Sequence, residues 1–313
     1  MNKTLEEKKF LKAYSVDEAI KSASECGKDY RFLAGGTDLI VNKFQGNETV
    51  KTLIDITPIS ELNEVKIIDQ YLSIGSLVKL DTLNKFPSIV SEFPALIEAA
   101  KAVASPVIRK SATIGGNILV ENRCSFFNQS EWWREAVGYC LKCNGDICIA
   151  TGGKNKCFSK FVSDTVPVLI CLGAKISVIN SAGSNTIKLE DVYTGDGVHS
   201  KNIKHSDLVR SVLIPLGNES RIVFKKLRQR KSLEFTSLTS AVSLNKRGEI
   251  VVALSGVDPK PVVVYGTSDD SIDDLINTAV KKARIVDNDV FSREYRKEMI
   301  SIFLKQSFLE LGL

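Results

Sequence analysis

Five of the seven cysteines in this 313-residue chain fall in one stretch, RCSFFNQSEWWREAVGYCLKCNGDICIATGGKNKC, from Arg123 to Cys157. Thiolates at Cys124, Cys140, Cys143, Cys148 and Cys157 would suit tetrahedral zinc or an iron–sulfur cluster, both of which need soft, charge-donating ligands. Redox thiols and chance are the other readings. A zinc ribbon shows two close CxxC pairs, whereas only Cys140 and Cys143 form one here. The two histidines, His199 and His205, are distant in sequence, so no mixed Cys/His site is evident. Spacing alone favours a metal and leaves iron–sulfur and zinc nearly level.

Two glycine pairs could hold an anion. LAGGTDL (33–39) sits between an expected strand and an expected helix. Glycine lets backbone N–H groups turn towards a phosphate with no side chain in the way, and a following helix adds its first amides and its dipole. SATIGGNI (111–118) offers a similar turn, with Thr113 and Asn117 as flanking donors. Neither pair fits GxGxxG or the Walker pattern, so a Rossmann or P-loop site is excluded. One isolated pair is most simply a tight turn; two pairs together admit a diphosphate cofactor without identifying it.

Positioning these groups requires a mixed chain of strands and helices. SVDE fits a capping box at Ser15, and Ala19, Ile20 and Ala23 make an apolar stripe, so a helix is expected over 16–26. RFLA reads as a strand, with a helix from Leu39 and strands at 52–56, 65–68 and 71–76. EFPALIEAAKAVA (92–104) is helical in pattern, and SDTVPVLICLGAKISVIN suggests a helix entering a strand. Strands are expected at 208–214, 222–227 and 236–244, then two amphipathic helices, SIDDLINTAVKKARI and REYRKEMISIFLKQSFLELG. The expected domains are 1–58, 59–218 with an insertion at 122–160, and 219–313.

Composition is that of a soluble globular chain, 43% hydrophobic and 25% charged. A net charge of +5 is modest, and the basic run FKKLRQRKS (224–232) reads as a solvated face or phosphate contact, so nucleic acid is not the expected partner. The charged N-terminus shows no signal peptide, and no apolar run approaches a membrane span. A cytoplasmic location is expected, where thiols stay reduced and a disulfide reading of the cysteines weakens.

FLAGGTDL, IRKSATIGGN, SDTVPVLICLGA, YTGDG and FKKLRQR occur in an order that resembles the flavin-binding medium subunits of molybdenum hydroxylases, the xanthine and carbon monoxide dehydrogenase family. The resemblance covers almost the whole chain. It implies an α+β, vanillyl-alcohol-oxidase-type fold: two α/β subdomains clasping FAD, then a C-terminal domain of sheet and helices. It implies that Leu33, Ala34, Gly35, Gly36, Thr37, Asp38 and Leu39 wrap the pyrophosphate. Ala104, Ile108, Thr113, Gly115, Gly116 and Asn117 would line the second side, Asp164 would meet ribose or ribityl hydroxyls, and Val209 and Lys226 would lie near the isoalloxazine.

Within that family the cysteine stretch resembles the inserted loop of the 4-hydroxybenzoyl-CoA reductase β subunit, which binds a 4Fe–4S cluster. Matching it implies Cys124, Cys140, Cys148 and Cys157 as ligands, spaced C-x15-C-x7-C-x8-C, with Cys143 left over as an extra thiol. Cys26 and Cys171 are expected to be ordinary thiols, and one or both of Trp132 and Trp133 to pack the loop down and exclude water. The implied role is electron transfer in an (αβγ)2 complex of an anaerobe, with a large molybdopterin subunit and a small 2Fe–2S subunit. Electrons would run from ferredoxin through 4Fe–4S, FAD and 2Fe–2S to molybdenum, for reductive dehydroxylation on another chain; no catalytic residue is expected here. The alternatives are an oxidative hydroxylase subunit with outward electron flow, a self-sufficient flavoenzyme and a zinc-stapled interaction subunit.

Overall fold

A computed structural model of the chain describes residues 9–313. Residues 1–8 of the expected first domain and charged N-terminus lie outside them. Three sheets follow one another along the chain. The first is parallel, with order β1 (Lys9–Lys12), β3 (Thr52–Asp55), β2 (Tyr30–Leu33). Helix α1 (Val16–Cys26) makes the crossover from β1 to β2 and packs on β3. Ser15 caps it: its Oγ accepts the Glu18 N–H at 3.2 Å, and Glu18 reaches back to the Tyr14 N–H at 2.7 Å. Val16, Ala19 and Ala23 are its buried face, and Gly27 ends it at φ +65°. Helix α2 (Leu39–Phe44) has only six residues, so the dipole expected behind the first glycine pair is short.

The second sheet is antiparallel, in the order β4 (Val65–Ile68), β5 (Tyr71–Gly75), β8 (Leu208–Pro215), β6 (Lys175–Asn180), β7 (Gly183–Lys188). Between β5 and β6 lie α3 (Pro87–Glu92), α4 (Pro94–Ala102), α5 (Pro106–Arg109), α6 (Ile114–Ile118), α7 (Glu131–Val137) and α8 (Thr165–Cys171). The helix expected over 92–104 is α4; Phe93, held at ψ +52° in front of Pro94, divides it from α3, a helix not expected from the sequence. Proline disfavours the α conformation in the residue before it and starts a new helix at its own position.

The third sheet is an antiparallel meander, β9 (Arg221–Leu227), β10 (Leu238–Leu244), β11 (Glu249–Ser255) and β12 (Val262–Thr267). One face carries Phe224, Ala241 and Ala253 into the core that α4 and α8 share with the second sheet. The other face carries Leu238, Val242, Val252 and Leu254 against α9 (Ile272–Lys282) and α10 (Arg293–Leu311). Sequence reading missed β11 and β12. Covered on both faces, β11 is buried at five of its seven positions and shows no in–out alternation to find.

The cysteine segment is a closed excursion from this frame. Arg123 and Lys160 exchange backbone hydrogen bonds of 2.9 and 2.8 Å across its base. Just outside, the Asn122 amide donates to the Ser159 and Pro259 carbonyls at 2.8 and 2.9 Å. Arg134, buried on α7, donates to the carbonyls of Gln45 (2.9 Å) and Gln129 (2.6 Å) and to Asn47 Oδ1 (2.6 Å), which ties the loop to the end of α2. Of the two tryptophans, one or both of which are expected to pack the loop down, Trp132 is 75% exposed and takes no such part. Helix α7 turns Arg134 inward as its anchor, and Trp132, two residues before it, lies on a different face. Trp133 is half-buried.

Candidate cofactor cleft and cysteine loop

The two glycine motifs meet. A Cβ at Gly35 would lie 1.9 Å from the Ser111 carbonyl oxygen, and one at Gly115 would lie 2.7 Å from Ser76 Cβ, so both glycines are required by contact between the turns. Gly36, at φ +69°, turns the chain with a conformation that only glycine adopts freely. Thr113 caps α6, its Oγ1 accepting the Gly116 N–H at 3.1 Å. A cleft of about 800 Å³ runs past these turns.

Ala34 to Leu39, Ala104, Ile108, Thr113, Gly115 to Asn117, Asp164 and Val209 all line this cleft. Leu33 and Lys226 do not. Leu33 ends β2 in the parallel sheet, where its carbonyl accepts the Ile56 N–H at 3.0 Å. Lys226 lies behind the wall and donates to Asp164 Oδ2 (2.6 Å), the Ala102 carbonyl (2.9 Å) and the Glu234 carbonyl (3.2 Å). Thr239 donates to the other oxygen of Asp164 at 2.8 Å. Burial pushes Asp164 upward, with the Lys226 ammonium opposing it. Asp164 is thus a held carboxylate, although each oxygen keeps a second acceptor site.

Three observations fit a diphosphate-bearing ligand. Among the described residues, the backbone N–H groups of Gly35, Gly36, Thr37 and Asp38 have no acceptor. Ser76 is a lining residue of the cleft, and its Oγ is buried without a partner among the described residues. Asn117 Oδ1 is taken by Ser163 Oγ and Thr165 Oγ1, both at 2.7 Å, and its side-chain NH2 has no acceptor among the described residues. Unpaired donors beside a cleft are costly unless a ligand or water meets them. Asp38, expected among the residues that wrap the pyrophosphate, turns its carboxylate elsewhere: it accepts the Arg123 guanidinium and the Glu121 N–H (3.1 Å).

Sequence reading missed the rest of the lining. Ser76, Glu121, Arg123, Phe127, Lys142, Lys201, Phe235 and both histidines reach the cleft from five separate chain segments, and no local pattern marks them. Glu121 accepts Lys142 at 3.0 Å and Lys201 at 3.2 Å. Burial would raise its carboxyl, but Lys201 and Lys142 together outweigh that and hold it well below the usual carboxylate range. Lys142 also donates to the Gly197 carbonyl at 2.6 Å.

The sequence-matched cysteines gather beside this wall. Cys124, Cys140, Cys148 and Cys157 are buried, whereas Cys143 is half-exposed. Cys124 and Cys140 pack with Phe127 in one apolar cluster. The Cys124 thiol feels Cys157 and Cys140 electrostatically, and Cys157 feels Cys148. Burial pushes Cys124 up to about 11 and also raises Cys157, so without a metal both are protonated at neutral pH. The Ser159 N–H and Oγ lie 3.4 Å from Cys157 Sγ, and Lys142 lowers that thiol. Among the described residues, no group of three or more His, Cys, Asp or Glu side chains is placed to hold a metal ion. The loop brings these thiols into one neighbourhood without closing them on a single point. Cys171 is buried in α8, as expected of an ordinary thiol, and Cys26 is half-buried.

The sequence model described as "FAD binding domain in molybdopterin dehydrogenase" matches residues 6–217. The chain belongs to this family. It is 28% identical over 250 residues to the FAD-binding subunit PaoB of an Escherichia coli (strain K12) aldehyde oxidoreductase, covering 74% of this chain and 76% of that one. It is 24% identical to the glyceraldehyde dehydrogenase medium chain of Sulfolobus acidocaldarius, covering 97% and 98%. A solved Cu,Mo-CO dehydrogenase chain superposes with a TM-score of 0.76 at 21% identity, covering 97% of this chain and 96% of that one. The mixed α/β fold of this FAD-binding family is therefore the fold of this chain, and the cleft is where its glycine motifs converge. No helix among the described residues is long and apolar enough to cross a membrane.

Proposed function

We propose that the chain is the electron-transfer subunit of a molybdenum hydroxylase-family complex, carrying FAD in the cleft and a 4Fe–4S cluster on Cys124, Cys140, Cys148 and Cys157. The observation that carries this reading is the placement of Phe127, which packs on Cys124 and Cys140 and also lines the cleft. In this reading Phe127 stands between the two cofactor sites. When bound, the flavin exchanges electrons singly or in pairs and the cluster exchanges them singly, which makes the subunit a converter between carriers.

The chain's own residues bind and orient. The free amides of 35–38 and the Ser76 hydroxyl offer donors to a diphosphate. Asp164, fixed by Lys226 and Thr239, offers acceptors to sugar or ribityl hydroxyls, and Val209 lines the cleft from β8. Phe127 keeps water from Cys124 and Cys140, while the hydrogen bond from the Ser159 N–H to Cys157 Sγ offsets negative charge on sulfur.

The complex is proposed to resemble 4-hydroxybenzoyl-CoA reductase, with large molybdopterin and small 2Fe–2S partners in an (αβγ)2 assembly and a ferredoxin-type donor. The cysteine-bearing insertion, with its C-x15-C-x7-C-x8-C spacing, supports that branch. The second reading, an oxidative hydroxylase with outward flow, is supported by the names of the relatives, which include aldehyde oxidoreductase and glyceraldehyde dehydrogenase subunits. Assaying the purified native complex separates them. Dehydroxylation of 4-hydroxybenzoyl-CoA with reduced ferredoxin supports the first, and oxidation of an aldehyde or N-heterocycle with none of that activity supports the second.

A further inference from the structure

Cys143 has no place in the four-ligand set, yet its geometry is specific. Its Sγ lies 3.6 Å from Cys140 Sγ. The two residues cap one 3-10 turn reciprocally: the Cys140 N–H donates to Cys143 Sγ at 3.2 Å, and the Cys140 side chain accepts the Cys143 N–H. Asn144, in the left-handed region at φ +65°, turns the chain immediately after it, and the Cys140 carbonyl accepts the N–H groups of Cys143 and Gly145 at 2.8 and 2.9 Å. Of the five loop cysteines Cys143 alone is accessible; its partner is buried. One half-exposed and one buried thiol, in contact and held by a shared turn, are arranged for exchange with a small disulfide.

We propose that Cys143 is a redox-modification site that closes on Cys140 when no cluster holds it. The inference rests on reading Cys140 as a cluster ligand. The oxidant is a low-molecular-weight disulfide such as oxidised glutathione. Burial raises Cys143 to about 11, so the attack draws on its small thiolate fraction: Cys143 loses its proton and attacks one sulfur of that disulfide, the S–S bond breaks, and one glutathione leaves with the proton. Cys140 then attacks the Cys143 sulfur of the mixed disulfide, loses its proton and releases the second glutathione. Two protein thiols are oxidised to one disulfide and one glutathione disulfide is reduced to two thiols. The empty loop is thereby capped, reversibly, at one of its four ligands.

The test uses the full chain, stripped of iron under anaerobic reducing conditions and then given glutathione disulfide. Trypsin cuts after Lys142, between the two cysteines, so a crosslink joins two otherwise separate peptides. The expected result is the loss of two of the seven thiols, with Cys140 linked to Cys143 and Cys148 still free to alkylate. Cys140→Ser should stop at one glutathione on Cys143, and Cys143→Ser should give no link. A wild-type chain that keeps both thiols, or a link that persists in Cys143→Ser and so runs through Cys148, would overturn the proposal. Uptake of iron and sulfide by the same reduced chain reports on the four-ligand reading separately: no uptake sinks that reading, whereas the crosslink decides the pairing of Cys140 with Cys143.

Discussion

The guanidinium of Arg123 is bonded to the carboxylate of Asp38, across 85 residues of sequence. Asp38 is the acid of the first glycine motif, and Arg123 immediately precedes Cys124. Arg123 also donates to Asn42 Oδ1 at 3.2 Å and lies over the Phe235 ring at 4.4 Å. A carboxylate beside an anion cradle would repel a diphosphate; the guanidinium neutralises it and joins the cradle to the cysteine loop.

Replacing Arg123 with Gln should therefore weaken FAD binding. Losing a hydrogen bond to a charged group costs ~1.5–3 kcal/mol, which corresponds to roughly ten- to a hundredfold in Kd. Flavin fluorescence titration measures this directly. Adding Asp38→Asn to Arg123→Gln should recover most of the loss; an Arg123→Gln chain with unchanged affinity would refute the coupling.

The two glycine pairs make a graded prediction. Gly35→Ala puts a methyl 1.9 Å from a backbone oxygen that cannot move alone, whereas Gly116→Ala meets only the Thr113 hydroxyl at 3.1 Å. Gly35→Ala should separate the turns and lower FAD occupancy on purification by about tenfold or more, on the scale of a ~1–3 kcal/mol overpacking cost. Gly116→Ala should retain most of its flavin. Equal retention in the two would contradict the interlocked turns.

Lys226 is the sole lysine or arginine paired with buried Asp164 among the described residues, and both side chains are under 5% exposed. Lys226→Met leaves a buried carboxylate unpaired and should cost ~3–5 kcal/mol, read as a lowered midpoint in urea unfolding. Asp164→Asn on that background should restore much of the stability. If Lys226→Met alone is neutral, the pair does not hold the cleft wall.

Glu121 predicts a pH dependence. Its folded-state pKa is depressed by Lys201 and Lys142 against the opposing effect of burial. The stabilisation is present above the unfolded-state value, ~4.3, and is lost as pH falls from there through the folded value. The stability gap between wild type and Glu121→Gln should be level near neutrality and close in acid. The carboxylate is 45% exposed, so the gap should be small and shrink with salt. A gap that widens in acid would reverse the sign of the argument.

Local chemistry was legible in the sequence, and long-range chemistry was not. The Ser15 cap and the Thr113–Asn117 turn depend on neighbours within four residues, and each lies where the pattern placed it. The start of α4 at Pro94 was also visible in principle. Strand β11 hid because both its faces are covered, and Arg123 hid because its partners come from α2 and the β9–β10 connection. Val209 and Lys226 were both assigned to the flavin ring by resemblance; only Val209 lines the cleft, and Lys226 acts on Asp164. Trp132 shows the limit of composition, since an aromatic on a short helix carries no mark of which side faces inward.

The most direct measurement is iron, acid-labile sulfide, zinc and FAD per chain, with the absorption spectrum, after anaerobic purification of wild type, Cys148→Ser and Cys143→Ser. The account predicts four iron and four sulfide per FAD in wild type, with a broad thiolate-to-iron shoulder beneath the flavin bands. Cys148→Ser should lose the iron and keep its FAD, and Cys143→Ser should keep both. Flavin without iron, zinc in its place, or iron lost from Cys143→Ser but kept in Cys148→Ser would contradict it.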